Sequence, residues 1–186
     1  KSDKVLKQDK VTQARIFQIL QDNKDKVVGL DLSEYLGKID WTQLDSIEGR
    51  KIHFVFIRAT VGNDKVDARF KENWKSAKEN HFIRGAYHYY RPNENSMDQA
   101  RLFIKTVQLK NGDLPPVLDI EKLPKTQSID SLKVGLKRFL AAIDNHYKVK
   151  PIIYSGERYY EDFLKDKFEG YTFWVANYNF FVEQIK

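Results

Sequence analysis

The sequence of 186 residues contains no cysteine. The absence of thiols excludes disulfides, thiolate metal sites and a cysteine nucleophile. No apolar run approaches the roughly 20 residues that a membrane-spanning helix needs, so the sequence predicts no transmembrane segment. Internal repeats and low-complexity tracts are also missing, which leaves one globular domain as the simplest interpretation of this length.

Several motifs that mark common enzyme classes are absent. The first apolar run is not followed by Gly-x-Gly-x-x-Gly, and there is no Gly-x-Ser-x-Gly elbow and no phosphate-binding loop. The four histidines lack metal-ligand spacing; they are His53, His81, His88 and His146. We therefore expect no cofactor and no metal. His88 should face away from Tyr87 and Tyr89, and we interpret it as a packed residue.

Basic charge and aromatic side chains are what the sequence has in excess. The formal net charge is +6, the pI is about 9.3, and 13% of the residues are aromatic. A basic surface favours anionic partners such as acidic cell-wall polymers, membranes or nucleic acid, while exposed rings stack on sugars or bases. The basic residues are scattered and match no nucleic-acid-binding motif, so we do not expect nucleic acid as a partner.

The composition and hydrophobic pattern of the chain change near Val27. Residues 1–26 are polar and lysine-rich, and we interpret them as a leader or linker, partly helical, with a docked extra helix as the alternative. Beyond them, apolar runs at 27–31, 53–59, 83–90, 116–120, 151–154 and 173–176 alternate with helical patterns at 67–80, 96–107, 131–147 and 159–164. Asp40 is expected to cap a further short helix. Such alternation predicts a parallel sheet, either an open doubly wound sheet or a barrel.

Each apolar run ends in polar or aromatic residues. In a parallel barrel the carboxyl ends of the strands meet at one mouth, so these side chains should line one cleft. They are Asp31, Arg58 with Thr60, Tyr87 with Tyr89, Asp119 with Glu121, Tyr154, and Asn177 with Tyr178.

Asp119 and Glu121 follow the apolar strand that Pro115 and Pro116 open. Because side chains alternate along a strand, both carboxyls should face the same way, on the order of 6–7 Å apart at a rise of ~3.3 Å per residue. Like charge raises the pKa of one carboxyl, which yields one acid and one base, as glycoside hydrolysis requires. A solvated strand end and a metal site are the alternatives.

Longer motifs resemble one enzyme family. They are Gly29-Leu30-Asp31-Leu32-Ser33, Ile39-Asp40-Trp41, Phe54 to Thr60, Gly85 to Pro92, Pro115 to Glu121, Ile152 to Ser155, and Trp174 to Tyr178. In this order, they are similar to glycoside hydrolase family 25, the lysozymes (N-acetylmuramidases) of the Chalaropsis type. The resemblance implies an α/β fold, an incomplete, flattened, TIM-like β/α barrel, as the catalytic domain over residues 27–186.

The resemblance further implies a bacteriolytic peptidoglycan hydrolase, monomeric, and secreted or located in the cell envelope. It would cleave the β-1,4 bond between N-acetylmuramic acid and N-acetylglucosamine in glycan strands. Glu121 would be the general acid, with Asp119 and Asp31 as supporting carboxylates. The residues expected to bind substrate are Tyr87, Tyr89, Arg58, Thr60, Tyr154, Asn177 and Tyr178.

The chain departs from the family pattern at three places. Val61 stands where the family often has glutamate, and Leu36 stands where a polar residue commonly precedes the glycine. The chain also stops at Lys186, so we expect the domain to lack the family's last strands, which carry a late aspartate. Two alternatives stay open: a non-catalytic cell-wall-binding module on the same fold, and a chitinase-like barrel glycosidase. Against the latter, Val117 and Leu118 stand where further aspartates would be.

Overall fold

A computed structural model describes residues 10–177 of the protein. Within this range eight strands form one sheet. They are β1 (Val28–Leu32), β2 (Ser46–Ile47), β3 (Arg50–Val61), β4 (Lys65–Val66), β5 (Ile83–Tyr89), β6 (Val117–Asp119), β7 (Ile152–Gly156) and β8 (Thr172–Ala176). Neighbours in the order β1-β3-β5-β6-β7-β8 pair in parallel, whereas β2 and β4 pair antiparallel with β3. The sheet curls strongly into an open half-barrel, which confirms the predicted α/β fold with an incomplete barrel.

Helices connect the parallel strands from β3 onward, and a further helix precedes β1. They are α1 (Lys10–Asp22), α2 (Phe70–Glu79), α3 (Ser96–Thr106), α4 (Ile129–Tyr147) and α5 (Glu157–Tyr159), with a 3₁₀ turn at Glu34–Leu36 and a π turn at Tyr160–Leu164. The three longest helical patterns predicted after residue 27 are thus confirmed. The Asn95 side chain caps α3 by accepting hydrogen bonds from the backbone amides of Met97 and Asp98. The Ser128 side chain caps α4 by accepting one from the backbone amide of Ser131. Within residues 10–177, no helix is both long and apolar enough to cross a membrane.

The central strands are covered on both faces. Val55, Ile57 and Ala59 of β3 are fully buried, and so is Leu118 of β6. Strands covered on both faces are apolar almost throughout, which explains why the sequence shows uninterrupted runs rather than alternation. The buried face of α4 consists of Leu132, Leu136, Phe139, Leu140 and Ile143, as the helical spacing predicted.

His88 is a buried polar residue of the core. Its Nδ1 lies 2.7 Å from Thr60 Oγ1, and its Nε2 lies 3.1 Å from Gln99 Oε1. The imidazole also stacks on Phe139 with the ring centroids 4.9 Å apart. Complete burial lowers the pKa of His88 to about 4, because the charged form would lose its hydration. The interpretation of His88 as a packed, hydrogen-bonded residue is confirmed.

Before β3, a turn stands where a short helix was predicted at Asp40, and the end of α1 is bonded to β3. Asp40 does not begin a helix: its carboxylate accepts hydrogen bonds from the backbone amide and the hydroxyl of Thr42, which closes a tight turn. Further upstream, the Arg50 guanidinium donates to the carbonyls of Leu20, at 2.7 Å, and Lys26, at 2.6 Å. These bonds tie the end of α1 to the first residue of β3, because the last carbonyls of a helix have no partner within it.

The buried His88 makes folding stability depend on pH. Its pKa is about 4 in the folded protein, below its ordinary 6.5, so the unfolded chain binds the proton first. The stabilising contribution is therefore complete above pH 6.5 and is lost as the pH falls towards 4. In urea titrations, this group should cost the parent about 1–2 kcal/mol of unfolding free energy between pH 6.5 and 5. We expect His88→Gln not to show that loss.

The readout is the pH dependence of the difference between variant and parent, because other groups titrate in the same range. A difference that stays constant from pH 6.5 to 5 would contradict the prediction, whatever the absolute stability of His88→Gln.

Candidate active site

A cleft of about 230 Å³ opens at the carboxyl ends of the parallel strands. Strand register brings its walls together, because Asp119 is the pairing neighbour of both Tyr89 and Tyr154, and Arg58 is that of Tyr87. The cleft is lined by Asp31, Ser33, Tyr35, Arg58, Tyr87, Tyr89, Val117, Asp119, Glu121, Tyr154 and Trp174. The strand ends of β1, β3, β5, β6 and β7 therefore converge on one mouth, as predicted.

Asp119 lies at the base of the cleft with only 7% of its surface exposed. Burial, together with the nearby charges of Glu121 and Asp31, raises the pKa of this carboxyl to about 8, while Arg58 opposes the shift. Its Oδ1 is buried and has no hydrogen-bond partner among the described residues. Asp119 is therefore a carboxyl that holds a proton at neutral pH.

Glu121 lies at the exposed rim of the same cleft. Partial desolvation raises the pKa of its carboxyl, and Lys122 opposes the shift. The two carboxyls lie within hydrogen-bonding reach of one another, so the separation of 6–7 Å expected from regular strand alternation is wrong. The reason is that β6 ends at Asp119, and the chain leaves the strand conformation before Glu121.

The pair shares a proton in the order opposite to the one expected. The resemblance implies Glu121 as the general acid and hence as the protonated partner, whereas Asp119, the more deeply buried carboxyl, has the pKa of about 8. Desolvation decides this order, because it is the largest influence on both groups and acts more strongly at the base of the cleft than at its rim.

Arg58 is a buried cation in the wall of the cleft. Its Nε donates to Asp67 Oδ2 at 2.9 Å, and its Nη2 lies 3.2 Å from Glu34 Oε1. Two carboxylates behind it thus offset the charge that Arg58 presents to the cleft. The neighbouring Tyr87 has its pKa raised by burial, so its phenol stays neutral and can both donate and accept hydrogen bonds.

The structure brings most of the predicted site residues together, but not Thr60. Arg58, Tyr87, Tyr89 and Tyr154 line the cleft with the three carboxylates. Thr60 is fully buried and bonds to His88, so its assignment to substrate binding is wrong. The pairing of β3 with β5 shifts register between Arg58 and Thr60, which breaks the alternation that would have placed both on one face.

Of the two residues predicted at the end of β8, one does not line the cleft and the other lies outside the described residues. Asn177 directly follows β8, is exposed, and does not line the cleft. Tyr178 lies outside the described residues. Among residues 10–177, His, Asp and Glu side chains form no group of three or more that could hold a metal ion.

Sequence reasoning missed four lining residues: Ser33, Tyr35, Val117 and Trp174. Tyr35 offered a signal, because it is an aromatic residue in the polar turn directly after the first strand end. Trp174 offered none, because an aromatic residue inside a strand is most often part of the core. Its register partner Tyr154 brings it to the cleft, with the two ring centroids 4.8 Å apart.

Paired carboxylates at the carboxyl ends of parallel strands form the kind of cleft that barrel glycosidases use. The chain belongs to the glycosyl hydrolases family 25, whose model matches residues 30–185.

Relatives and solved structures agree with this assignment. The chain is 40% identical over 152 residues to the uncharacterized protein YegX of Escherichia coli K12, covering 81% of this chain and 56% of YegX. It is 39% identical over 102 residues to lysozyme M1 of Streptomyces globisporus, covering 53% of this chain and 34% of the lysozyme. A family 25 glycosyl hydrolase structure from Bacillus anthracis superposes with a TM-score of 0.75 at 29% identity, covering 82% and 70% of the two chains. The chain therefore spans about half the length of YegX and a third of that of lysozyme M1.

Burial of Asp119 should cost folding stability. The pKa of Asp119 is about 8 in the folded protein and 3.8 in its ordinary state, so the contribution of this one carboxyl to stability is most favourable below pH 3.8 and becomes less favourable as the pH rises to 8. Asp119→Asn removes this titration. We expect the variant to be about 1–3 kcal/mol more stable than the parent at pH 7, measured by urea unfolding.

Glu169→Gln is the control, because Glu169 is exposed and lies outside the cleft. It should change stability by less than about 0.5 kcal/mol. A destabilised Asp119→Asn at pH 7 would show that the buried carboxyl is held by interactions that outweigh its desolvation.

Proposed function

We propose that the protein is a lysozyme that hydrolyses the β-1,4 bond between N-acetylmuramic acid and N-acetylglucosamine in peptidoglycan. The observation that carries this proposal is that the carboxyls of Asp119 and Glu121 line one strand-end cleft of a family 25 chain. Relatives named lysozyme support the substrate. Because peptidoglycan lies in the cell envelope, the protein would act there or after secretion.

Glu121 is proposed as the general acid. It lies at the rim, where it reaches both the leaving oxygen of a bound glycan and the solvent that replaces its proton. The partial desolvation that raises its pKa favours the protonated form that an acid requires. When the bond between the anomeric carbon and the leaving oxygen breaks, the proton of Glu121 goes to that oxygen. Water adds to the anomeric carbon and returns a proton to the site.

Asp31 and Asp119 are proposed as the groups that stabilise positive charge on the sugar. Both line the cleft with Glu121, and the charge of Asp31 raises the pKa of Asp119. Transfer of the shared proton from Asp119 to Glu121 on substrate binding would leave Asp119 negative below the developing oxocarbenium ion. A preorganised negative group in a desolvated site is the usual source of large rate enhancements.

The closeness of the two carboxyls supports a substrate-assisted route. A pair in hydrogen-bonding reach is too close to span the scissile bond, since retaining pairs lie about 5–5.5 Å apart and inverting pairs about 6.5–9.5 Å. The N-acetyl oxygen of the substrate would instead attack the anomeric carbon, and water would then open the cyclic intermediate. Asp119, which lines the cleft, would accept the amide N–H through its carboxylate and orient it.

We expect Glu121→Gln to abolish hydrolysis while folding and wall binding persist. The amide has nearly the same shape but delivers no proton, and acid catalysis is worth ~10²–10⁴-fold. The assay counts new reducing ends released from purified peptidoglycan. Glu169→Gln, an exposed residue outside the cleft, is the control and should match the parent.

Turnover by Glu121→Gln at the parental rate would overturn the assignment of the acid. Wall binding by a parent chain that releases no reducing ends would instead favour the non-catalytic wall-binding module.

The substrate-assisted route predicts net retention without a glycosyl-enzyme. The first-formed product should be the β anomer, because two inversions occur at the same carbon. Proton NMR of early product, recorded before mutarotation, reads the anomer directly. An α product would exclude retention, and a covalent sugar adduct on Asp119, found by mass spectrometry, would exclude attack by the N-acetyl group.

A further inference from the structure

Tyr35 is an exposed aromatic residue at the mouth of the cleft. It stands in the 3₁₀ turn Glu34–Leu36 that follows β1, and it lines the cleft with Asp31 and Arg58. The side chain is nevertheless 80% exposed, so it buries little surface in the folded protein. A large ring left in water beside a binding cleft contributes little to folding and offers an apolar face to a ligand.

The ring is held by cations of the barrel wall. The Arg58 guanidinium carbon lies 4.5 Å from the Tyr35 ring centroid, and Lys65 Nζ lies 5.9 Å from it. Both distances are within the range of a cation–π interaction. Arg58 is itself buried and fixed by Asp67, so the ring rests on a rigid group rather than on a mobile surface lysine alone.

Glu34, the neighbour of Tyr35, fixes the turn from the other side. Its carboxylate accepts hydrogen bonds from Lys65 and from the backbone amide of Ala68, and it lies 3.2 Å from Arg58. Its own backbone N–H donates to Asp67 Oδ2 at 3.0 Å. One glutamate therefore anchors both the backbone of the turn and the two cations that contact the Tyr35 ring.

We propose that Tyr35 is a preorganised stacking platform for a sugar ring of the glycan strand, and that Glu34 is the positioning residue that holds it. The proposal rests on the proposed function for the nature of the ligand. The C–H face of an N-acetylhexosamine packs on the open side of the ring, next to the carboxylates of the cleft. Because the turn is fixed before binding, the ligand does not bear the entropy of ordering it.

The platform is tested by binding in the Glu121→Gln background, where substrate is not consumed. The probe is soluble peptidoglycan glycan fragments of defined length, titrated by calorimetry. We expect Tyr35→Ala to weaken binding roughly 3- to 10-fold, and Tyr35→Trp to bind within about 2-fold of the Glu121→Gln parent. Leu36→Ala, the exposed neighbour in the same turn, is the matched control and should leave binding unchanged.

Glu34 is tested by a double-mutant cycle. Glu34→Gln alone should weaken binding about 2- to 5-fold, because the ring is no longer held. In the presence of Tyr35→Ala it should cause no further loss, since a residue that acts through the ring has nothing left to position. In the hydrolysis assay with an intact Glu121, Tyr35→Ala should raise KM and leave kcat nearly unchanged.

Unchanged affinity in Tyr35→Ala would overturn the platform, and additive losses in the double mutant would overturn the positioning role of Glu34. Urea unfolding of each variant separates loss of binding from loss of folding. Tyr35-dependent binding in a parent that releases no reducing ends would overturn the hydrolase function and leave the platform in place. Normal hydrolysis that is unaffected by Tyr35→Ala would overturn the platform and leave the hydrolase function in place.

Discussion

Parallel pairing of the strands is the constraint on which the site depends. A parallel ladder places every carboxyl end at the same edge, so residues distant in sequence become neighbours without any contact of their own. Asp119 pairs with Tyr89 on one side and with Tyr154 on the other, and the next pairing brings Trp174. The register of the backbone therefore assembles the cleft, and side-chain chemistry acts within it.

Charge in the cleft is balanced in two layers. Arg58 faces the carboxylates of the cleft, and Asp67 and Glu34 stand behind it. Arg58 lowers the proton affinity of Asp119, but burial and the charges of Glu121 and Asp31 outweigh it and keep the pKa of that carboxyl near 8. Asp67 and Glu34 also fix the turn that carries Tyr35. Through Arg58, one ion-pair network thus influences both the pKa of Asp119 at the base of the cleft and the position of the Tyr35 ring at its rim.

This arrangement means that the cleft contributes less to folding stability than the apolar core does. The core of β3, β6 and α4 buries apolar groups and contributes to folding, whereas the cleft buries a carboxyl and exposes an aromatic ring. Both are unfavourable in the absence of a ligand. The buried carboxyl lacks the water that would hydrate it, and the exposed ring lacks the apolar contacts that a core would give it. Function and stability therefore depend on different residues of the same strands.

The sequence by itself determined the alternation of strands and helices, the apolar face of α4, and the placement of Asp31, Asp119 and Glu121 at strand ends. These follow from periodicity, which is local. Only the tertiary structure decided three other points. A register shift buried Thr60, the end of β6 brought the two carboxyls into contact, and the depth of the cleft gave Asp119 the higher proton affinity. The Tyr35 ring likewise became a site only when Arg58, distant in sequence, packed against it. Register, burial and contact between distant residues are properties of the folded chain, and periodicity does not contain them.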